Sequence, residues 1–417
     1  MKEYRVIVVG GGAAGLMAAG QAAASGADTL LLEKKARPGR KLSITGKGRC
    51  NLTNISPLPD FISHYGKNGR FLRQAFNRFF SAELMDLLGS IGIETVIESE
   101  GRVFPADGDA GAVVDALVQW VKQQGVSIKT TSPVEQLLIG SEGIIGVRAD
   151  GRDYHAEAVI IATGGASYPA TGSTGDGYRL AASAGHTIIP IRPALVPLET
   201  AGDVAGRLQG VSLRNVKITI YMDGRRHNAA AGDIMFTHFG LSGPVILTLS
   251  GNIVDALRRN RKITLSIDLM PDTDERELEA RLLGDLQVYG KRQLHTMLKD
   301  FLPNKLVPVC CDLTGIPSEK IGHQVTADER RRLRTWLKDF RFDIIGHRPL
   351  EEATVTAGGV DTREVDPRTM ASRLVPGLYF AGEVLDIAGD TGGYNLQAAF
   401  STGWLAGRSA AQRLHYD

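Results

Sequence analysis

The sequence predicts an α/β protein. Its parallel-sheet domain is interrupted by a β-rich insert that carries a small helical subdomain. Three observations predict this. The first 33 residues run strand, glycine-rich turn, helix, strand, acid. Two later apolar strands, ending at Gly164 and Gly382, also close on glycines. Between them the texture changes, near Pro190, to alternating strands and then to polar helices.

Taken in order, Arg5 to Val9 reads RVIVV, the β-branched run of a buried parallel strand. GGGAAG follows, with Gly10, Gly12 and Gly15 in G-x-G-x-x-G spacing, and Ala13 to Ala24 continues as an alanine-rich helix stopped near Gly26. DTLLLE is a second apolar strand ending in Glu33. Gly10 permits the tight turn, Gly12 lets the backbone approach a pyrophosphate, and Gly15 lets the helix pack on the strand. The helix N-terminus offers N–H groups to phosphates. Glu33 is placed to accept hydrogen bonds from a ribose diol, and an acid there disfavours a 2′-phosphate. The unit therefore suits FAD or NAD, not NADP. Ala14, beside Gly15, and Lys34, beside Glu33, belong to the same candidate set.

KLSITGKGRCNLTN, Lys41 to Asn54, begins at the mouth of the strand that carries the acid. Ligands of open α/β sheets lie beyond the carboxyl ends of the strands. Gly46 and Gly48 let this loop run close over a cofactor. Arg40, Lys41 and Arg49 are candidates to face a pyrophosphate or a reduced, anionic flavin. Ser43, Thr45, Asn51 and Thr53 are candidate donors to ring oxygens and nitrogens. A solvated basic loop is the plain alternative.

GRVFPADGDAGAVVDALVQWVKQQGVSIKT reads turn, helix (about Ala110 to Gln124), strand. A strand, a turn at Asp150–Gly151 and a further strand, Ala158 to Ala162, lead to Thr163, Gly164 and Gly165. A short helix is predicted near Tyr178 to Ala184. At the other end of the chain, LYFAGE is an apolar strand ending in Gly382 and Glu383, and Asp386 is a candidate ribityl ligand. GDTGGYNLQAAFSTG turns into a helix near Asn395, whose N-terminus suits the flavin pyrimidine, where negative charge collects on reduction. Gly392, Gly393, Tyr394, Asn395 and Gln397 are the candidates there. This third glycine-rich turn points to FAD over NAD.

The insert opens with strands and a hairpin turn at Asp223–Gly224, and KITLSIDLMP is another strand. Helical patterns with charged faces fill Asp274 to Trp336, and strand returns near Glu352 to Ala357. The predicted boundaries are 1–190 with 350–417 for the cofactor domain, 191–273 with 337–349 for a β-rich substrate domain, and 274–336 for a helical subdomain. MFTHFGLSGP, Met235 to Pro244, is the insert's distinctive loop. His238 in it is either a proton donor or a hydrogen-bonded structural histidine. Lys291 to Arg348 carries 12 Lys and Arg against 7 Asp and Glu, with Arg330, Arg331, Arg332 and Arg334 on one helix. That stretch is either a solvated face or a surface for an RNA backbone.

Composition narrows the classes. Hydrophobic residues make up 43% of 417 and formal net charge is +2, so global charge argues neither for nor against nucleic acid. Glycine, at 49 residues, exceeds the usual ~7%. Three cysteines, Cys50, Cys310 and Cys311, form no disulfide framework. No signal-peptide pattern and no run approaching ~18 apolar residues is present, so a cytoplasmic protein with no membrane partner is expected. No metal site is predicted. Cys50 is not half of a C-x-x-C pair, which disfavours thiol–disulfide chemistry. It is either a proton donor or a small packing residue.

GGGAAGLMAA, GRKLSITGKGRCNLTN and the C-terminal GDTGGYNLQAAFSTG segment resemble the BaiN/RdsA-type family of FAD-dependent oxidoreductases, over essentially the whole chain. The resemblance implies a glutathione-reductase-like FAD domain with a large insert. It implies that Gly46 to Asn51 pass along the flavin and that Val134 sets its main chain against the adenine. It also implies hydride transfer from reduced flavin to an electron-poor C=C, with NAD(P)H as a transient reductant, since no second G-x-G-x-x-G is present. Related proteins are linked to reduction of conjugated double bonds in steroid-like ketones and of the uracil 5,6 bond in ribosomal RNA. Three readings follow: an ene-reductase for a small-molecule acceptor, an RNA-modifying flavoenzyme making dihydrouridine, and a non-catalytic flavin-binding or electron-relay protein.

Overall fold

A computed structural model describes residues 3–412. The chain forms two compact units. One runs to Ala194 and resumes at Leu350; the other spans Leu195–Pro349.

In the first unit, β1 (Tyr4–Val9) is the central strand. It lies parallel to β2 (Thr29–Leu32) on one side and to Arg152–Ile161 on the other. Ser127–Lys129 extends the sheet beyond β2, and Leu378–Phe380 pairs parallel with Arg152–Ile161. The chain thus leaves β1 in one direction and returns on its other side. That reversal makes a crevice at the carboxyl ends of β1 and Arg152–Ile161. Val6, Ile7 and Val8 are fully buried, as a sheet covered on both faces requires. Two antiparallel strands, Val134–Gly140 and Gly143–Ala149, join at the start of Arg152–Ile161.

Helix α1 (Ala13–Ala24) lies against the C-terminal helix Tyr394–Gln412. A Cβ on Gly403 would stand 2.3 Å from the Ala14 carbonyl oxygen, and one on Gly407 would stand 2.2 Å from that of Ala18. Three short helices, Leu58–Ser63, Gly69–Phe76 and Ser81–Ser90, form a segment the sequence pattern did not resolve. Phe61 binds it to the C-terminal helix, meeting Phe76, Phe80 and Tyr394 edge-on at 5.2, 4.8 and 4.7 Å. The strand predicted near Glu352 to Ala357 is Val355–Val360 and includes Gly358 and Gly359; it pairs antiparallel with Ile188–Ala194. The helix predicted from Tyr178 begins at Asp176.

The second unit is a closed six-stranded barrel. Its order is Leu198–Thr200, Gly240–Ser242, Arg225–Phe236, Ser212–Met222, Ile263–Asp268 and Phe340–His347, the last pairing with the first. The hairpin turns at Asp223 and Gly224. Helix Pro244–Leu257, unmarked in the sequence reading, also belongs to this unit. The helices between Glu275 and Lys338 share one apolar core with the barrel: Leu278, Leu282, Leu333 and Leu337 are buried in the same cluster as Ile218, Leu265 and Phe342. Thr326 and Glu329 form a capping box at the start of the arginine-rich helix. Among the described residues no helix is long and apolar enough to cross a membrane.

Candidate active site

The site is built at the crevice of the first unit. Gly10 adopts φ +102°, and a Cβ there would lie 2.7 Å from the Ala162 carbonyl oxygen. A Cβ on Gly15 would lie 1.8 Å from the Gly10 carbonyl oxygen, so only glycine lets α1 start against the end of β1. Gly12 differs: a Cβ there would meet no atom within 4 Å. No side chain caps α1, and its recorded backbone bonding begins with Leu16 N–H to Gly12 O at 2.9 Å. The first-turn amides, that of buried Ala14 among them, therefore have no partner within the helix.

Glu33 follows β2 directly and is nearly buried. One carboxylate oxygen accepts from Gly11 N–H at 2.7 Å and the other from Lys35 N–H at 2.7 Å. A carboxylate has about four lone-pair sites, so acceptor capacity remains. An uncapped helix N-terminus supplies donors, an open glycine face supplies room and a buried carboxylate after the next strand supplies an acceptor, which is what an ADP moiety needs, and these residues fit FAD.

Around this core the predicted residues fall into three groups. Lys34 Nζ bonds Thr174 and Asp176. Val134 is buried at the start of its strand, opposite Ala149. Thr163 and Gly164 follow Arg152–Ile161, beside Gly10, and Gly382 N–H donates to Thr402 Oγ1 at 2.9 Å.

The second group is the loop from Arg40 to Asn51. It contains short helical turns over Leu42–Gly48, broken at Thr45, Gly46 and Lys47. Arg40 is exposed. Lys41 Nζ donates to Ser167 Oγ at 2.7 Å and pairs with Glu383 at 2.8 Å. Glu383 also accepts from Thr356 N–H at 2.7 Å. Lys41, Ser167, Thr356 and Glu383 thus tie four chain segments together. Thr45 Oγ1 donates to the Leu42 carbonyl. Gly48 has open space where a Cβ would sit, and exposed Arg49 pairs with Glu98 and stacks 4.5 Å over the Phe104 ring. Cys50 is fully buried at φ +58°, and burial pushes its thiol up to about 11. It is a neutral thiol at ordinary pH.

The third group opens the C-terminal helix. Asn51, its amide oriented by its neighbours, donates to the Val103 and Thr53 carbonyls and accepts from Gly393 N–H at 3.0 Å. A Cβ on Gly393 would stand 2.3 Å from the Thr53 carbonyl oxygen. Asn395 accepts from Gly389 N–H and donates to the Gly389 and Asp390 carbonyls at 2.8, 2.8 and 3.1 Å, so its side chain holds the preceding loop. Asp386 accepts from Asn68 at 2.9 Å and from Gly358 N–H at 3.1 Å. Gln397 is fully buried; its nitrogen donates to Ser401 at 2.9 Å and its oxygen has no hydrogen-bond partner among the described residues.

His238 belongs to the second unit. It is exposed at the tip of the hairpin Thr237–Gly240, its ring meets Phe239 at 4.9 Å, and among the described residues no hydrogen bond holds it. In the same unit Cys310 and Cys311 are buried in helix Leu306–Thr314, and burial pushes both thiols up. The arginine-rich helix pairs its arginines within itself and with a neighbouring helix. Arg330 and Arg334 reach Glu279 at 2.5 and 3.2 Å, Arg332 reaches Asp328 at 3.6 Å, and Arg331 bonds Asp328.

Sequence reasoning missed Ser167 and Thr356, which carry no motif, and a His64–Asp390 pair. Asp390 stands in the quoted GDTGGYN turn; His64 lies in the helical segment that gave no signal.

Residues 4–409 match the HI0933-like protein Rossmann domain. The chain is 33% identical over 411 residues to a 3-dehydro-bile acid delta(4,6)-reductase of Clostridium scindens, covering 98% of this chain and 99% of that protein. It is 33% identical over 409 residues to a ribosomal RNA dihydrouridine synthase of Escherichia coli, covering 97% of each. Its fold matches that of a 3-ketosteroid-delta4-(5alpha)-dehydrogenase of Rhodococcus jostii solved with 4-androstene-3,17-dione, with a TM-score of 0.52, 16% identity, and 98% and 97% of the two chains covered.

Proposed function

The chain belongs to the HI0933-like family of FAD-dependent oxidoreductases, and on that premise we propose that it reduces a conjugated C=C of a small, enone-like molecule, with NAD(P)H as the transient reductant. The end-to-end similarity to a protein named as a bile acid delta(4,6)-reductase carries the reading. When bound, FAD supplies the hydride. The chain's own residues do the rest. The α1 amides and Glu33 would hold the ADP end, and the open face at Gly12 would admit the pyrophosphate. Lys41 and Glu383 pair to hold the loop Arg40 to Asn51, and the C-terminal helix would offer its positive end to charge that develops on reduction.

A second reading is reduction of uridine in ribosomal RNA, favoured by the similarity to a ribosomal RNA dihydrouridine synthase. The four arginines of the basic helix share Glu279 and Asp328, which offsets part of the charge that helix could offer an RNA backbone. The test is a comparison of wild-type cells with cells lacking this protein, reading ribosomal RNA nucleosides and small metabolites together. The enone reading expects an accumulated unsaturated ketone and unchanged dihydrouridine. Loss of dihydrouridine with no change in metabolites overturns it in favour of the second.

A further inference from the structure

We propose that His64 and Asp390 are the proton-delivery pair of this reduction, with His64 giving a proton from Nε2 and Asp390 positioning it; this rests on the enone reading above. His64 Nδ1 lies 2.8 Å from Asp390 Oδ2, and Asp390 N–H donates back to the His64 carbonyl at 3.1 Å. The ring stacks on Tyr394 at 3.9 Å and 23°. Tyr394 is itself fixed: its carbonyl accepts from Tyr65 at 2.6 Å and its ring edge meets Phe61. The carboxylate side is held as firmly, because Asn395 grips the Gly389 and Asp390 carbonyls.

A carboxylate on Nδ1 sets the tautomer and orientation of an imidazole and leaves Nε2 as its working atom. Nε2 has no hydrogen-bond partner among the described residues, and about a third of the side chain is exposed. The pair is therefore oriented from the Nδ1 side, with Nε2 left unpaired among the described residues. It sits at the entry to the C-terminal helix, where Gly393 is bonded to Asn51 next to Cys50. The rival acids are less suited. Cys50 is fully buried with its thiol pushed up to about 11, and no second group orients His238. Tyr65 is buried and already donates to Tyr394.

The balance is simple. The alkene gains hydride, with its electron pair, at the carbon far from the carbonyl. Its π pair becomes the bond to the proton that the carbon beside the carbonyl takes from His64 Nε2. The cofactor is oxidised by two electrons, and His64, left neutral, recovers its proton from solvent. The titratable groups around the pair are Tyr394 and Tyr65, with Asp60 and Glu100 acting on Tyr394.

The test uses the holoenzyme, reduced anaerobically and mixed either with a cyclic enone or with ferricyanide, which needs no proton. FAD content is measured alongside. His64→Asn keeps a donor at the Nδ1 position and removes Nε2. Its reoxidation by enone should slow by about 10²- to 10⁴-fold, with ferricyanide oxidation and FAD content unchanged. Asp390→Asn should slow enone oxidation and leave ferricyanide oxidation unchanged, because the imidazole loses the carboxylate that orients it. An enone rate unchanged in His64→Asn overturns the proposal alone, as does an equal slowing with ferricyanide. If His64→Asn loses FAD, His64→Gln carries the same test, and loss from both overturns the proposal in favour of a structural role. A wild-type enzyme that no enone reoxidises overturns the enone reading and this proposal together.

Discussion

Replacing Glu33 with Ala removes the acceptor for two backbone donors at once. Both bonds are 2.7 Å and end on a nearly buried carboxylate. The two donors differ in what can replace it. Lys35 is half-exposed and recovers a bond to water, whereas Gly11 is buried under Pro38 and is left unpaired. Hydrogen bonds to charged groups contribute ~1.5–3 kcal/mol and an orphaned buried donor costs ~1–3, so the turn should lose about 2–4 kcal/mol. Glu33→Gln keeps one acceptor oxygen and sets an amide N–H against the other donor, so it should lose a similar share. Amide hydrogen exchange of β1 and β2 in the apoprotein reads this loss in the domain that holds the turn, independent of any ligand. FAD retention should fall about 10- to 100-fold, at ~1.4 kcal/mol per tenfold. Exchange in Glu33→Ala within about 0.5 kcal/mol of wild type would refute the claim that this carboxylate organises the turn.

Other outcomes follow from named contacts. Cys50→Ala should keep FAD and reoxidise with substrate at the wild-type rate, and a fall of ~10² or more would reassign the acid to Cys50. His186 has a fully buried ring, with Nε2 2.8 Å from Ser372 Oγ and Nδ1 3.2 Å from Glu364 but not aligned for a hydrogen bond. Burial depresses its pKa, against the pull of Glu364. A depressed histidine favours the folded state above the unfolded value of ~6.5, and that stability is lost as pH falls from there through the lowered folded value. Wild type should therefore lose stability faster than His186→Gln below about pH 6.5, and parallel pH curves would sink this assignment.

What the sequence could reveal was local. RVIVV, the Gly10–Gly15 turn and Glu33 lie within one strand–helix–strand unit, where spacing alone fixes which groups meet. Barrel closure was not legible, because Leu198–Thr200 pairs with Phe340–His347 across more than a hundred residues. The charge run from Arg330 to Arg334 was visible, but its acid partner Glu279 sits on another helix. Gly403 and Gly407 read only as helix interior, where glycine is unfavourable; their reason is the backbone of α1. Asn51 read as a donor to ring atoms and Asn395 as a cofactor contact at the start of a helix, and the fold uses both side chains to hold the adjoining loops. His64 gave no signal, since its meaning depends on a carboxylate 326 residues away.

The central claim is that this chain uses bound FAD to reduce a conjugated double bond. The direct measurement is to mix the anaerobically reduced holoprotein with one equivalent of a steroid-like enone and follow both the flavin spectrum and the organic product. The account predicts that the yellow oxidised spectrum returns and that one saturated ketone forms per flavin. Flavin that stays reduced with every enone, and is reoxidised only by one-electron acceptors, would contradict it.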